Sequence, residues 1–227
     1  MTLASPRLTA RIAGVCYLLD VAFGPGMIAL KQIFVPTDAA RTIANLISHK
    51  GIFMLGYAGN FVAIATYIVV TALFYQLFKP VNKSVSLVAA FVGLAGCTVL
   101  IVASGFYFAP LLVLDQPNIA LVLFKIYGQM FNATLPYFGV YCLLIGYLTY
   151  RSTFLPRWLG VMMMLGFIGG MTFLVPTLGR ALFPLNMIGN IGELVLAVWL
   201  VVRSVDAKRW TSLNTEHQQR EAQLMLR

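Results

Sequence analysis

Charge is what this sequence lacks most: only 10% of its 227 residues are Asp, Glu, Lys or Arg, whereas 60% are hydrophobic. Ordinary soluble domains carry about 25% charged and roughly 45–50% apolar residues. A water-soluble globule of this composition would have too little polar surface to cover its apolar atoms, and the exposed patches would drive aggregation. A soluble fold is therefore excluded, and lipid is the expected solvent.

Histidine is almost missing. His49 and His217 are the only two, and neither stands inside an apolar run. That excludes a clustered-histidine metal site, a Ser-His dyad in the bilayer and haem held by paired intramembrane histidines. Walker and dinucleotide-binding fingerprints are also missing. Cys16, Cys97 and Cys142 fall in three separate apolar runs without short spacing, so neither a disulfide framework nor a zinc motif follows. They are expected to be small, buried packing residues. No cofactor and no metal are expected, and an enzyme is the minor reading.

What is present is a series of apolar runs. A spanning helix needs about 20 mostly apolar residues. Six runs of that kind occur, approximately at Ile12 to Leu30, Ile52 to Phe78, Val85 to Leu114, Ile119 to Tyr150, Leu159 to Leu178 and Phe183 to Val202. The expected fold is all-α: a polytopic membrane protein with six transmembrane helices. Residues 1–205 would form the bundle and residues 206–227 a basic cytoplasmic tail, helical or disordered.

The net charge of +9 comes from residues that flank these runs. This is the membrane pattern rather than a nucleic-acid footprint, so the expected partner is the lipid bilayer and no nucleic acid. Eleven Lys and Arg residues fall on one side (Arg7, Arg11, Lys79, Lys83, Arg151, Arg157, Arg203, Lys208, Arg209, Arg220, Arg227), against four on the other (Lys31, Arg41, Lys50, Arg180). The richer side is cytoplasmic, which puts both termini inside. No A-x-A-like site follows Val21, so Arg7 and Arg11 are read as holding a retained first span rather than a cleaved signal. Between the first two spans, Thr37 or Asp38 can cap a short external interfacial helix through Ala39, Ala40, Ile43, Ala44 and Ile47.

Ionisable residues inside a bilayer are costly, at about 2.5–3.5 kcal/mol for an Asp or Lys at a helix centre, and so point to function. Glu193 lies ~15 Å from Arg203 along its helix and Asp20 ~12 Å from Ile12. The two carboxyls share a depth. If the first and last spans are neighbours, desolvation and mutual repulsion favour a shared proton. Lys125 lies ~37 Å from Tyr150, beyond the ~30 Å core, and is expected to snorkel at the outer surface unless its helix tilts or kinks at Pro136.

Asn186, Asn190 and Glu193 follow one another at i, i+4 and i+7 and share a helix face that is expected to point inward. With Gly189 and Gly192 beside it, this stripe serves equally as interhelical glue or as a ligand surface. Asn60 and Asn132, near the outer ends of their helices, would join it in a polar vestibule. Gly24-Pro25-Gly26 is expected to interrupt or end the first span. Gly166-x-x-x-Gly170 has the spacing of a packing or dimerisation face.

Several short motifs recur in order along residues 8 to 203. They are Arg11-Ile12-Ala13-Gly14-Val15-Cys16-Tyr17-Leu18, Asp38-Ala39-Ala40 with Ala44-Asn45, and Lys79-Pro80-Val81-Asn82. Further along come Gly146-Tyr147-Leu148, Tyr150-Arg151-Ser152, Phe154-Leu155-Pro156-Arg157, Gly192-Glu193-Leu194 and Ala197-Val198-Trp199-Leu200. In these the chain resembles an uncharacterised bacterial membrane family, domain of unknown function 4386. The resemblance implies six spans in a bacterial cytoplasmic (inner) membrane and supplies no activity. It sets Glu193 within a family motif and implies a histidine near the place of Tyr141, a point where this chain departs from the pattern.

Two functions fit these residues. The first is a non-enzymatic bundle that binds or moves a small solute or ion through a pocket built on Asp20, Glu193, Asn190 and Asn60, with Asn186, Asn132 and Lys125 as outer candidates. The second is a structural or regulatory subunit whose polar stripe only joins helices, acting as a homo-oligomer or with a membrane partner. A lipid-acting enzyme would need a lateral opening beside a polar pair.

Overall fold

In the computed structural model, residues 5–23 and 26–225 are described. They form ten α-helices and one 3-10 turn, with no strand among the described residues. The helices are α1 Pro6–Phe23, α2 Gly26–Ile33, α3 Ala39–Ser48, α4 Lys50–Phe78 and α5 Lys83–Phe108, then α6 Pro117–Arg151, α7 Arg157–Thr172, α8 Pro176–Ala181, α9 Phe183–Val202 and α10 Ala207–Met225. The second, third, fourth and sixth apolar runs each fall on one long helix (α4, α5, α6 and α9), but the first is divided between α1 and α2 and the fifth between α7 and α8. Three of the helices are long and apolar enough to cross a membrane: α4, α5 with its 3-10 extension to Leu112, and α6.

Local chemistry sets the helix ends. The Asp38 carboxylate accepts from the Arg41 N–H at 2.9 Å and starts α3. The Asn82 side chain does the same for α5, accepting from the Val85 N–H at 3.0 Å. Such caps satisfy one of the unpaired donors of a first turn. Pro117, Pro176 and Pro184 sit in first turns, where a missing N–H costs nothing. Pro136 lies within α6, which continues through it. The interruption expected at Gly24-Pro25 falls outside the described residues; α1 ends at Phe23 and α2 begins at Gly26.

Six of the helices close a ring in chain order: α1 packs on α4, α4 on α5, α5 on α6, α6 on α7, α7 on α9, and α9 back on α1. Glycines set how closely several of these pairs approach. A Cβ on Gly160 of α7 would stand 2.5 Å from the Gly146 carbonyl oxygen of α6, and one on Gly146 would stand 2.7 Å from the Gly160 carbonyl. Gly170 meets Gly139 in the same seam, so the Gly166-x-x-x-Gly170 spacing serves packing within the chain. Gly14 admits α9 to α1, and Gly192 admits α7 to α9. Small residues of this kind let helix backbones touch in an apolar solvent.

The ring is filled at one end by Phe74, Leu77, Phe78, Leu148, Leu159 and Leu200 and at the other by Phe53, Tyr107, Phe124 and Tyr127. The second end is roofed by α2 and α3. Thr42, Ile43 and Leu46 of α3 are buried and the helix packs on α6, while Arg41, Ala44, Ile47 and Ser48 on its other face are exposed. At the first end α10 is helical, and its Trp210 indole N–H donates to the Leu77 carbonyl at 2.9 Å.

Candidate functional site

The middle of the ring is where side chains from several helices must meet, and it is polar. Glu193 projects there from α9, half-buried, and its Oε1 accepts from the Cys142 Sγ of α6 at 2.9 Å. Asp20 projects from the neighbouring α1, also half-buried, within Coulombic reach of Glu193. Gly14, two turns back along α1, makes the neighbourhood possible, since a Cβ there would lie 2.8 Å from the Ala197 carbonyl of α9.

Three tyrosines lie near Glu193. Tyr17 of α1, Tyr67 of α4 and Tyr141 of α6 are fully or almost fully buried. Tyr67 packs edge-on to Tyr17 at 5.8 Å between ring centroids, and lies 5.6 Å from Tyr141. Each of the three hydroxyls lies within Coulombic reach of Glu193. The Tyr17 hydroxyl faces the Glu193 carboxyl and the Tyr141 hydroxyl faces Thr71, yet neither closes to hydrogen-bond geometry. All three hydroxyls are buried without a hydrogen-bond partner among the described residues. The great majority of buried polar atoms are paired, and one left unpaired costs about 1–3 kcal/mol. Three such groups near one carboxyl are therefore an uncommon concentration of buried polar atoms.

Gly93 of α5 supplies the room on the fifth side. A Cβ at that position would stand 3.0 Å from the Tyr141 ring and 3.1 Å from the Thr71 Oγ1. Cys97, one turn further along α5, is buried and within reach of Asp20.

Of the residues singled out by sequence, Asp20 and Glu193 are brought together. The others are not. Asn60 is buried and its Nδ2 donates to the Ser104 Oγ at 2.8 Å, which makes it a link between α4 and α5. Asn132 is half-buried and reaches only Gln129 on its own helix, at 3.4 Å. Asn190 is exposed and Glu193 half-buried, so the described part of the stripe turns inward at Glu193 and not at Asn190. The side chain of Asn186 lies outside what is described. Lys125 is exposed on α6, away from the carboxyls.

Tyr17, Tyr67, Tyr141 and Cys142 were not singled out from composition. Cys142 is not merely a packing residue, because its thiol is the carboxyl's hydrogen-bond partner. Two weak signals existed. Tyr17 and Asp20 are spaced i, i+3, as Tyr67 and Thr71 are spaced i, i+4, so each pair shares a helix face. The histidine implied near Tyr141 pointed to the same level of α6.

With this geometry in view, comparison with known proteins is informative about kinship. The model of the family described as Domain of unknown function (DUF4386) matches residues 12–204. The chain belongs to that family. Glu193, Asp20 and the three tyrosines all fall within the matched DUF4386 region. An uncharacterized protein of Archaeoglobus fulgidus is 24% identical over 153 residues, covering 64% of this chain and 81% of that relative. No solved structure matches.

Proposed function

We propose that this DUF4386 protein is a six-span membrane protein that binds or moves a small ion or solute at the centre of its helix ring. The observation that carries the proposal is the set of three buried tyrosine hydroxyls near the Glu193 carboxyl, none with a hydrogen-bond partner among the described residues, with the Asp20 carboxyl on the neighbouring helix. A seam used only for packing would be expected to satisfy its own polar groups, because an incompletely bonded network is worse than an apolar core. The members are carboxyl, phenol and thiol, so the guest they suit is a small cation or a solute with N–H donors. Two like charges in a low-dielectric interior are stabilised by a cation or a shared proton between them.

Topology is supported by where the connections meet. The Ser204 hydroxyl donates to the Arg7 carbonyl, the Asp206 N–H to the Phe154 carbonyl, and the Trp210 indole to Leu77. The chain's start, the α4–α5 and α6–α7 turns and α10 thus share one end, the end rich in Lys and Arg, as six crossings with both termini inside require. Outward-facing Leu55, Phe91, Ile168 and Val202 present an apolar belt of the kind lipid would cover.

The test is thermal unfolding of the protein in nanodiscs against sodium, potassium, ammonium and choline chlorides across pH. The expected result is a cation-dependent rise in Tm that Glu193→Gln removes. An identical response in both proteins would take Glu193 out of the function and leave the Cys142–Glu193 bond as helix glue.

A further inference from the structure

A second feature lies at the opposite extreme of polarity from the ring centre, on the outer surface where α9 gives way to α10. A cleft of about 490 Å³ there is lined by Arg7, Arg203, Arg209, Ser204, Asp206 and Trp199, among others. Along the outer face of α9 runs a groove of about 400 Å³ between Leu194 and Arg203, lined otherwise by Val195, Val198, Trp199 and Val202. Trp199 and Arg203 belong to both, so a basic cleft opens directly into an apolar groove.

The cleft is held in shape by an unusual turn. Ser204 has a φ of 59°, the one non-glycine residue in the left-handed region among those described. Such a conformation is costly for a residue with a Cβ and persists only when its surroundings enforce it. Here they do: the Ser204 N–H donates to the Trp199 carbonyl at 3.0 Å and its buried hydroxyl to the Arg7 carbonyl at 3.0 Å. The turn ties α1 to the end of α9 and brings Arg7 and Arg203 to one cleft.

Charge then decides what can enter. Asp206 is engaged with Arg209, 3.3 Å from its Nε, and also accepts from the backbone N–H groups of Lys208 and Arg209. Arg209 donates in addition to the Thr153 carbonyl at 3.1 Å. Arg7 and Arg203 are exposed, and they give the cleft its positive excess. A soluble anion would use the cleft and ignore the groove; an apolar chain would do the reverse. From Leu194 to Val202 the helix rises ~12 Å, close to the ~15 Å that one leaflet contributes to a ~30 Å hydrocarbon core. Trp199, between the two, has the amphipathic ring that favours the headgroup level.

We infer that this surface is a binding site for one anionic phospholipid of the leaflet at the basic end, its phosphate held by Arg7 and Arg203 and one acyl chain laid along Val195, Val198 and Val202. The site is separate from the ring-centre carboxyls and does not depend on what they bind.

The experiment is native mass spectrometry of the full-length protein released from nanodiscs containing equal phosphatidylglycerol and phosphatidylcholine. The natural protein retains one phosphatidylglycerol in preference to phosphatidylcholine. The double variant Arg7→Gln, Arg203→Gln lowers that preference by roughly 30-fold, as expected for two basic side chains facing an anionic surface. Val198→Trp, which fills the groove at an exposed position and leaves the charges intact, also reduces retention, whereas Lys125→Gln does not. Equal retention of the two lipids by the natural protein, or an unchanged preference in the double variant, overturns the inference. So does displacement of the lipid by soluble glycerol phosphate at millimolar concentration, or full retention in Val198→Trp, since either would mean that the anion alone is recognised.

Discussion

Replacing Gly93 by Ala tests the ring centre without replacing any member of the cluster. Gly93 faces Tyr141 and Thr71 from α5, and a Cβ there would come within 3.0 Å of two ring carbons of Tyr141 and 3.1 Å of the Thr71 Oγ1. Both neighbours are buried, and Tyr141 in turn packs against Tyr67 with its ring tilted, so neither can simply swing into solvent. Overpacking of this kind costs about 1–3 kcal/mol. Ala in a helix interior recovers about 1 kcal/mol relative to Gly, so the net loss expected is about 0–2 kcal/mol. Gly105, on the same helix, has nothing within 4 Å of its would-be Cβ and provides the control. Gly105→Ala should gain the helix term alone, which puts the two variants about 1–3 kcal/mol apart. At roughly 2–4 °C per kcal/mol for a chain of this size, Gly93→Ala should melt roughly 2–12 °C below Gly105→Ala. The assay is a thiol-reactive dye in detergent, because Cys97 and Cys142 are buried and become reactive only as the ring opens. Equal melting temperatures for the two variants would refute the placement of Tyr141 and Thr71 against α5, and with it the account of the cluster.

Two further outcomes follow from the basic end of the ring. Trp210→Phe keeps the ring packing of α10 but loses the 2.9 Å bond to the Leu77 carbonyl, a net contribution of about 0.5–1.5 kcal/mol; trypsin should release the helix up to roughly 10-fold faster, and an unchanged rate would show that the anchor lies elsewhere. For topology, Ser48→Cys and Ser84→Cys both introduce thiols at exposed positions at opposite ends of α4 and α5. A membrane-impermeant maleimide should label Ser48→Cys in intact cells and Ser84→Cys only after permeabilisation; labelling of both from outside would rule out the proposed orientation.

Helix positions were legible in the sequence because they depend on local quantities. The length of an apolar run, an Asp or Asn that can cap, and a proline that cannot donate all act within a few residues. Hence α3 begins at its Asp38 cap, and the runs that became α4, α6 and α9 have ends close to those expected, whereas the first and fifth runs are each divided between two helices. Glu193 and Asp20 could be found for the same reason: a carboxyl inside an apolar stretch is anomalous wherever the rest of the chain goes. Their companions could not be found so directly. Helices such as α4, α5 and α7 are apolar all round, so no polar stripe marks the face that turns inward. A tyrosine among such residues looks the same whether it meets lipid, as exposed Tyr147 would, or the ring centre, as Tyr141 does.

The sequence by itself determined a helical chain too apolar for water, the places where its helices begin and end, and the asymmetry of its basic residues. Only the tertiary structure decided that α1 and α9 are neighbours and that Tyr17, Tyr67, Tyr141 and Cys142 gather near Glu193. It also decided that Asn60 is spent on Ser104 and that Lys125 stays outside. The reason is one of range. Helix formation is governed by neighbours three or four residues away, whereas membership of the cluster is set by glycine-permitted contacts between segments far apart in the chain.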